Sequence, residues 1–264
     1  MENLKHTVCD LFIDRVEKSP ENNALGIIKK EKIQFLTFSS YKNYVEAYSL
    51  GLMSLGLKKQ NKVCLLSLTR MEWNLLDLAT LCAGAVTVPI YPSYTGDEIN
   101  FILNHSEANF LILEDNEQFE KILKIQKKLP TSLEKIISIH PIKVELSGKL
   151  EGIEVLSLDD LHRLGSVEIQ KSPDQFETNI KNITAESLAT IVYTSGTTGE
   201  PKGAMINHEA IFQVLKNVKM ATYEIDMKKI LVKENTTVGL ANGILKADGN
   251  KIYSAENLKV GLFK

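Results

Sequence analysis

LATIVYTSGTTGEPKGAMINH, residues 188–208, is the stretch on which the reading of this chain turns. It opens on an apolar run, Leu188–Tyr193, the pattern of a buried strand. Ten residues follow, TSGTTGEPKG (194–203), holding three Gly, three Thr and one Ser. Glycines let the backbone approach an anion closely, while hydroxyls and backbone N–H groups donate to phosphate oxygens. Lys202 adds a compact positive charge. Ala204–Ile206 reads as a short strand, and Asn207 can cap the helix after it. The string is not a Walker A loop, because Glu200 follows Gly199 where that loop has Lys-Ser/Thr.

Upstream, helical and extended patterns alternate. His6–Lys18 spaces Val8, Leu11, Phe12 and Val16 as a helix does, and Ala24–Ile28 with Ile33–Thr37 reads as a hairpin about a charged turn. A helix capped by Ser39 or Ser40 runs to Gly56. Strands are expected at Val63–Leu68, Ala85–Ile90, Asn109–Leu113 and Lys135–Ile139. Helices are expected at Glu72–Ala83, Glu98–Asn104 and Glu117–Lys128. This alternation predicts an α/β fold with a parallel sheet and flanking helices. Residues 141–183 read as loop-rich, with a short LDDLHRL turn. After about residue 216 the pattern changes. Ala221, Tyr223, Ile225 and Met227 alternate with polar residues, the phase slips at Lys228-Lys229, and Asp248-Gly249 marks a tight turn. A three-stranded antiparallel β meander is expected there.

The chain has 264 residues, 44% of them hydrophobic, which is enough for one or two cores and excludes disorder as the main state. Its 31 basic and 33 acidic residues leave −2, so no global field attracts nucleic acid. Only Arg15, Arg70 and Arg163 are arginines. Three cysteines at irregular spacing, with no CxxC, predict a reduced, cytoplasmic chain. The amino terminus lacks the pattern of a signal peptide, and Trp73–Tyr91 reads as a buried helix and strand rather than a membrane span. Five scattered histidines at no ligand spacing predict no metal site. His208, beside the loop, reads as a structural residue of the strand-to-helix turn ahead of a catalytic one.

The string 194–203 resembles the phosphate-binding signature of the adenylate-forming (AMP-binding) superfamily, which includes acyl-CoA synthetases, luciferases and adenylation domains. RMEWNLLDLATLCAGAVTVPIYPSYTGDEINFILNHSEANFLI (70–112) is similar to the upstream region of bacterial long-chain fatty acid–CoA ligases. The resemblance covers about residues 5–210. It implies the N-terminal part of an adenylate-forming fold, with ATP and magnesium as cofactors and ATP, fatty acid and coenzyme A as small-molecule partners. It implies acyl-adenylate formation followed by transfer to coenzyme A, in a cytoplasmic protein that can lie peripherally at the membrane. Thr194, Ser195, Gly196, Thr197, Thr198, Gly199 and Lys202 would hold the ATP phosphates. No catalytic side chain is singled out. The family's magnesium-holding Glu lies in a Thr-Glu pair, and no such pair occurs in these 264 residues. The family's ribose-binding Asp string has one counterpart, Thr95-Gly96-Asp97, which precedes the loop and reads instead as a capping box of Thr95 with Glu98. The resemblance reaches no counterpart of the C-terminal catalytic Lys. An impaired or inactive ligase is the expectation.

Residues 213–264 resemble another family, bacterial 3-hydroxydecanoyl-acyl-carrier-protein dehydratase, at its carboxyl end. TYEI, LANG, KADGNKIY and NLKVGLF carry the resemblance. It implies a partial hot-dog fold, but no His follows His208 to serve as a general base. The expected organisation is a partial AMP-binding domain, 1–212, followed by a partial dehydratase-like β segment, 213–264. A dehydratase fragment and a non-catalytic chimera with weak nucleotide binding are the alternatives. Unpaired β edges in the tail predict self-association.

Overall fold

The computed structural model describes residues 6–29, 32–148, 150, 152–194, 201–217, 221–233, 236–247 and 250–263. In chain order the elements begin α1 (Val8–Lys18), β1 (Asn23–Lys29), β2 (Lys32–Thr37), α2 (Phe38–Ser54), β3 (Lys62–Leu66), α3 (Met71–Cys82) and β4 (Val86–Ile90). Next are α4 (Gly96–His105), β5 (Phe110–Leu113), α5 (Asn116–Ile125), β6 (Lys135–Ser138), α6 (Val144–Ser147), β7 (Glu154–Ser157) and α7 (Leu158–Lys171). The last are α8 (Gln175–Lys181), β8 (Leu188–Thr194), β9 (Lys202–Asn207), α9 (His208–Asn217), β10 (Ala221–Lys233), β11 (Thr236–Ala247) and β12 (Asn250–Phe263). The chain separates into two compact units, residues 1–212 and 213–264.

The first unit is built on a seven-stranded sheet of order β7-β6-β5-β3-β4-β8-β9, with β1 and β2 as a separate hairpin. Strands β3 to β8 run parallel, whereas β9 pairs antiparallel with β8, so the sheet is mixed where the alternation predicted a parallel one. Seven residues separate β8 from β9, too few for the crossover that a parallel pair needs. The central strands are continuous apolar runs because both faces are covered. Successive residues divide between two cores. Val63, Leu65, Phe110 and Ile112 join α1, α2, α3, α7 and α8 on one face, and Cys64, Leu66, Leu111 and Leu113 join α4 and α5 on the other. Phe110 and Phe119 are fully buried, each contributing roughly 1.5–3 kcal/mol.

Residues 141–183 depart most from the expectation. In place of a loop with a short turn they hold β7, which extends the parallel sheet, and a 14-residue helix, α7. Ser157 caps that helix. Its hydroxyl accepts from the Asp160 N–H (3.0 Å) and donates to the Asp160 carboxylate (2.7 Å), forming a capping box that the sequence reading passed over. Gly165 and Gly51 let α7 lie against α2. A Cβ on Gly165 would stand 1.7 Å from the Ala47 carbonyl oxygen, and one on Gly51 would stand 2.4 Å from that of Leu161. At the other end of the unit α1 starts at Val8, not His6, because Thr7 forms its own capping box with Asp10.

The second unit is a three-stranded antiparallel sheet, β10-β11-β12. Its register slips between Met227 and Lys229, at the predicted bulge. Asp248-Gly249 lies outside the described residues, and Ala247 pairs with Asn250 across it.

Candidate functional site

The seven-stranded sheet sets the geometry of the loop. Because β8 is parallel to β4, its carboxyl end lies on the same sheet edge as those of β3, β4, β5 and β6, the edge at which open α/β sheets place ligands. Thr194 ends β8, Lys202 begins β9, and the two are direct register partners. Both are exposed. Ser195, Gly196, Thr197, Thr198 and Gly199 lie outside the described residues. The structure thus brings together the first and last of the seven sequence-predicted residues. Cα atoms of opposed antiparallel residues are about 4.5–5.5 Å apart. A hydroxyl-bearing and an ammonium-bearing residue therefore flank the Gly/Thr/Ser string at its two ends.

The hairpin strands are tied into the body of the sheet. Tyr193 is buried, which pushes its hydroxyl up to about 12, and its Oη lies 2.7 Å from His105 Nδ1. Phe101 stacks on His105 with ring centroids 5.4 Å apart. Thr190 Oγ1 donates to the Thr87 carbonyl (2.8 Å), tying β8 to β4. Gly203, the last residue of the string, has a packing role. A Cβ there would meet Ile191 Cγ2 at 2.8 Å and the Tyr193 ring at 3.2 Å. Sequence reasoning took this glycine with the loop. Its pairing with Tyr193 across the hairpin explains it.

His208 lies away from the loop. Strand β9 runs antiparallel to β8, so its far end is on the opposite sheet edge, about 20 Å from Lys202 at ~3.4 Å per residue. His208 is buried. Its Nδ1 accepts from the Val8 N–H (3.4 Å), and its backbone N–H donates to the Ser187 carbonyl (3.0 Å). Burial pushes it down to about 4, against the pull of Asp10, so the imidazole is neutral near pH 7. It is a structural tie among α1, β8 and α9.

A polar cluster missed at the level of sequence sits on the same edge as the loop. From β3 the chain passes through α3 to β4 on one side; from β5 it passes through α5 to β6 on the other. The winding therefore reverses between β3 and β5. Arg70 spans that gap. Its Nε donates to Glu72 (2.8 Å), and one terminal nitrogen reaches Glu114 (2.9 Å) and His140 Nε2 (2.9 Å). Glu114 also accepts from the Ser67 hydroxyl (3.1 Å) and the Leu68 N–H (2.8 Å). These bonds join residues up to 70 positions apart, and no local pattern announces them. Asp97 ion-pairs with Lys128 (3.2 Å), and Thr95 caps α4 through Glu98, as the capping-box reading has it. Among the described residues no three His, Cys, Asp or Glu side chains converge on a metal position, and no helix is long and apolar enough to cross a membrane.

Comparison with known proteins agrees with this architecture. A family profile described as "AMP-binding enzyme" matches residues 12–238, continuing past the unit boundary at 212 through β10 into β11. Rat long-chain-fatty-acid–CoA ligase ACSBG1 is 28% identical over 209 residues, covering 79% of this chain and 28% of that protein. Fatty acyl-CoA synthetase A of Dictyostelium discoideum is 32% identical over 211 residues, covering 76% and 30%. The crystal structure of the anthranilate CoA ligase AuaEII with anthranoyl-AMP superposes with a TM-score of 0.62 at 26% identity, covering 78% of this chain and 35% of that one. The chain therefore spans about three-tenths of the length of these relatives.

Proposed function

Because the chain belongs to the AMP-binding enzyme family, we propose that residues 194–202 bind the phosphates of ATP. We further propose that the first unit is the N-terminal part of an AMP-forming fatty acid–CoA ligase. The observation that carries this reading is the register pair Thr194–Lys202 at the carboxyl edge of the sheet, flanking the Gly/Thr/Ser string. When bound, ATP supplies the phosphoanhydride whose cleavage drives acyl adenylation. Thr194 and the hydroxyls of Ser195, Thr197 and Thr198 donate to phosphate oxygens. Gly196 and Gly199 admit the backbone close to them. Lys202 neutralises charge that accumulates on the leaving side. Magnesium enters by family inference, with no ligand assigned here.

On this reading the 264 residues alone do not make acyl-CoA. They contain no Thr-Glu pair for the magnesium carboxylate and no ribose-binding Asp string after the loop. The reading expects millimolar ATP affinity with little preference over inorganic pyrophosphate, since each missing charge-assisted hydrogen bond removes on the order of 1.5–3 kcal/mol. Calorimetric titration of the chain and of Lys202→Ala tests it: weak binding, lost in the variant, supports the proposal. Micromolar, adenine-selective binding shows that other residues of this chain build a nucleoside site. Thioester formation from ATP, magnesium, fatty acid and coenzyme A above the no-enzyme level overturns the account of impairment.

For residues 213–264 the proposal is a dehydratase-like β segment without dehydratase chemistry. It rests on the sequence pieces quoted above and on the absence of histidine after His208, while the family match reaches residue 238. A cytoplasmic setting is part of the same reading and rests on three free cysteines, all buried.

A further inference from the structure

Helices α2, α3 and α4 close in the same way. After each, one residue takes the left-handed conformation and its N–H donates to a carbonyl three residues back, while the next N–H donates to one five residues back. The pairs are Gly56 to Met53 with Leu57 to Leu52, Gly84 to Leu81 with Ala85 to Thr80, and Glu107 to Asn104 with Ala108 to Leu103. Gly56 and Gly84 stand at φ +97° and +75°, which a residue without a Cβ adopts freely. Glu107 stands at φ +52°. A side chain disfavours that conformation, and a carboxylate is disfavoured again at the negative end of a helix dipole. Nothing in the fold offsets either effect. Glu107 is exposed, and its carboxylate has no ion-pair or hydrogen-bond partner among the described residues.

Glu107 lines a cavity of about 300 Å³ between the end of α4 and the β8–β9 hairpin, a volume at the lower end for small-molecule sites. Lys62, the first residue of β3, lines it too. The two stand close along the chain fold, because Lys62 N–H donates to Asn109 Oδ1 (2.9 Å) and Asn109 N–H donates to the Lys62 carbonyl (2.9 Å), two residues beyond Glu107. The Lys62 ammonium is also without a partner among the described residues, so the two charges do not pair with each other. Every other polar side chain of the cavity is already bonded. Gln60 bonds the Leu188 backbone in both directions, His105 bonds the Tyr193 hydroxyl, and Ser106 donates to the Ile102 carbonyl. Leu188, Ile191 and Met205 supply an apolar wall, with Met205 left 71% exposed. The cavity therefore presents one apolar wall, one free carboxylate and one free ammonium.

We propose that this cavity binds an α-amino acid with an apolar side chain. The ligand's ammonium pairs with Glu107, its carboxylate pairs with Lys62, and its side chain covers Leu188, Ile191 and Met205. An amine alone would leave Lys62 unpaired, and a carboxylic acid alone would set its charge against Glu107. The site lies on a face of the sheet and shares no residue with the phosphate loop, so it stands independently of the ATP reading.

Equilibrium dialysis of the full chain against labelled L-leucine tests this. Leucine should bind saturably with a dissociation constant below about 1 mM, and isoamylamine, isocaproate and glycine, which lack its carboxylate, ammonium and side chain in turn, should each bind at least about tenfold more weakly. Glu107→Gly gives α4 the ending of α2 and α3. It should melt about 2–4 °C above the parent and lose leucine binding. Lys62→Met should lose binding as well, and Lys202→Ala, at the phosphate loop, should keep it. No saturable binding of leucine, methionine or phenylalanine overturns the proposal. Isoamylamine or isocaproate binding as tightly as leucine overturns the zwitterion, and unchanged binding in Glu107→Gly overturns the site. Glu107→Gly melting below the parent gives the carboxylate a role in the fold instead. Loss of leucine binding in Lys202→Ala moves the ligand to the loop and overturns the cavity. Should Lys62→Met not fold, Glu107→Gly and the three analogues decide.

Discussion

The seven-stranded and three-stranded sheets draw on similar residues, yet their connections differ, and that difference decides what each needs. Six strands of the first sheet are joined by crossovers, and most of those crossovers carry a helix onto a face, so Leu65 and Leu66, pointing opposite ways, are both buried. The second sheet is joined by hairpins, which add no cover. The contrast recurs inside the first sheet. β8 and β9 form its one hairpin, and beside them a cavity of about 300 Å³ stays open, lined by Tyr193, His105 and Met205, with Met205 71% exposed. The candidate phosphate loop is the turn of that hairpin. Crossovers bring their own helices; the β8–β9 hairpin brings none.

If helical cover is what the first sheet depends on, its closest helix contact should be the place to break it. In Gly165→Val a Cβ would enter the Ala47 carbonyl of α2. Backbone meets backbone there, so no rotamer relieves the clash. The loss should exceed about 3 kcal/mol, the upper range for overpacking. Gly148→Ala, with nothing within 4 Å of its added Cβ, is the control. Thermal melts followed by circular dichroism check both. A melting temperature for Gly165→Val equal to the parent's would mean that α7 is dispensable to the sheet.

Acid gives the next largest effect. His208 stands lowered to about 4 in the fold against about 6.5 when unfolded. The unfolded chain therefore takes up the proton first. Stability is full above pH 6.5 and falls as pH drops from 6.5 towards 4, by up to about 3 kcal/mol from this group. Urea midpoints measured across that window should show the slope, and His208→Gln should flatten it. An unchanged slope in the variant would free α1 from the tie at Val8.

These positions also show what sequence could carry. The strands of the first unit are legible because Val63–Leu66 and Phe110–Leu113 are unbroken apolar runs, and the bulge at Lys228 is legible because a period of two cannot hide a slip. Helix α7 was not legible as a helix. Its contact with α2 is made through Gly165, a residue that sequence reading takes as a breaker. The loop was legible as local composition. The Arg70–Glu114–His140 cluster was not, because it exists only once three strand ends are brought side by side. Arg70→Gln sharpens that point. It should cost about 1–3 kcal/mol, since Glu114, with its side chain 15% exposed, loses its ion pair and a charge-assisted donor. Chemical denaturation measures it, and a cost under about 0.5 kcal/mol, the range of ordinary surface changes, would make the cluster incidental.

The smallest effects separate support from binding within the hairpin itself. Lys202 and Gly203 are neighbours, but Lys202 is exposed at the register position opposite Thr194, while Gly203 lies under Ile191 and Tyr193. Lys202→Ala removes a solvated charge and should move stability by no more than about 0.5 kcal/mol while abolishing phosphate binding. Gly203→Ala should do the reverse. Its Cβ meets the branch methyl of Ile191, which yields only if a stiff, buried side chain or the strand shifts, a strain of about 1 kcal/mol or more, with binding weakened only as far as the hairpin moves. Melting curves and phosphate titrations on the two variants give four readings. A destabilised Lys202→Ala would place the ammonium in the packing of the sheet rather than at its edge. A Gly203→Ala that binds nothing yet melts as the parent does would make that glycine part of the anion cradle, and the division of the hairpin into rigid strands and a binding turn would fail at that residue.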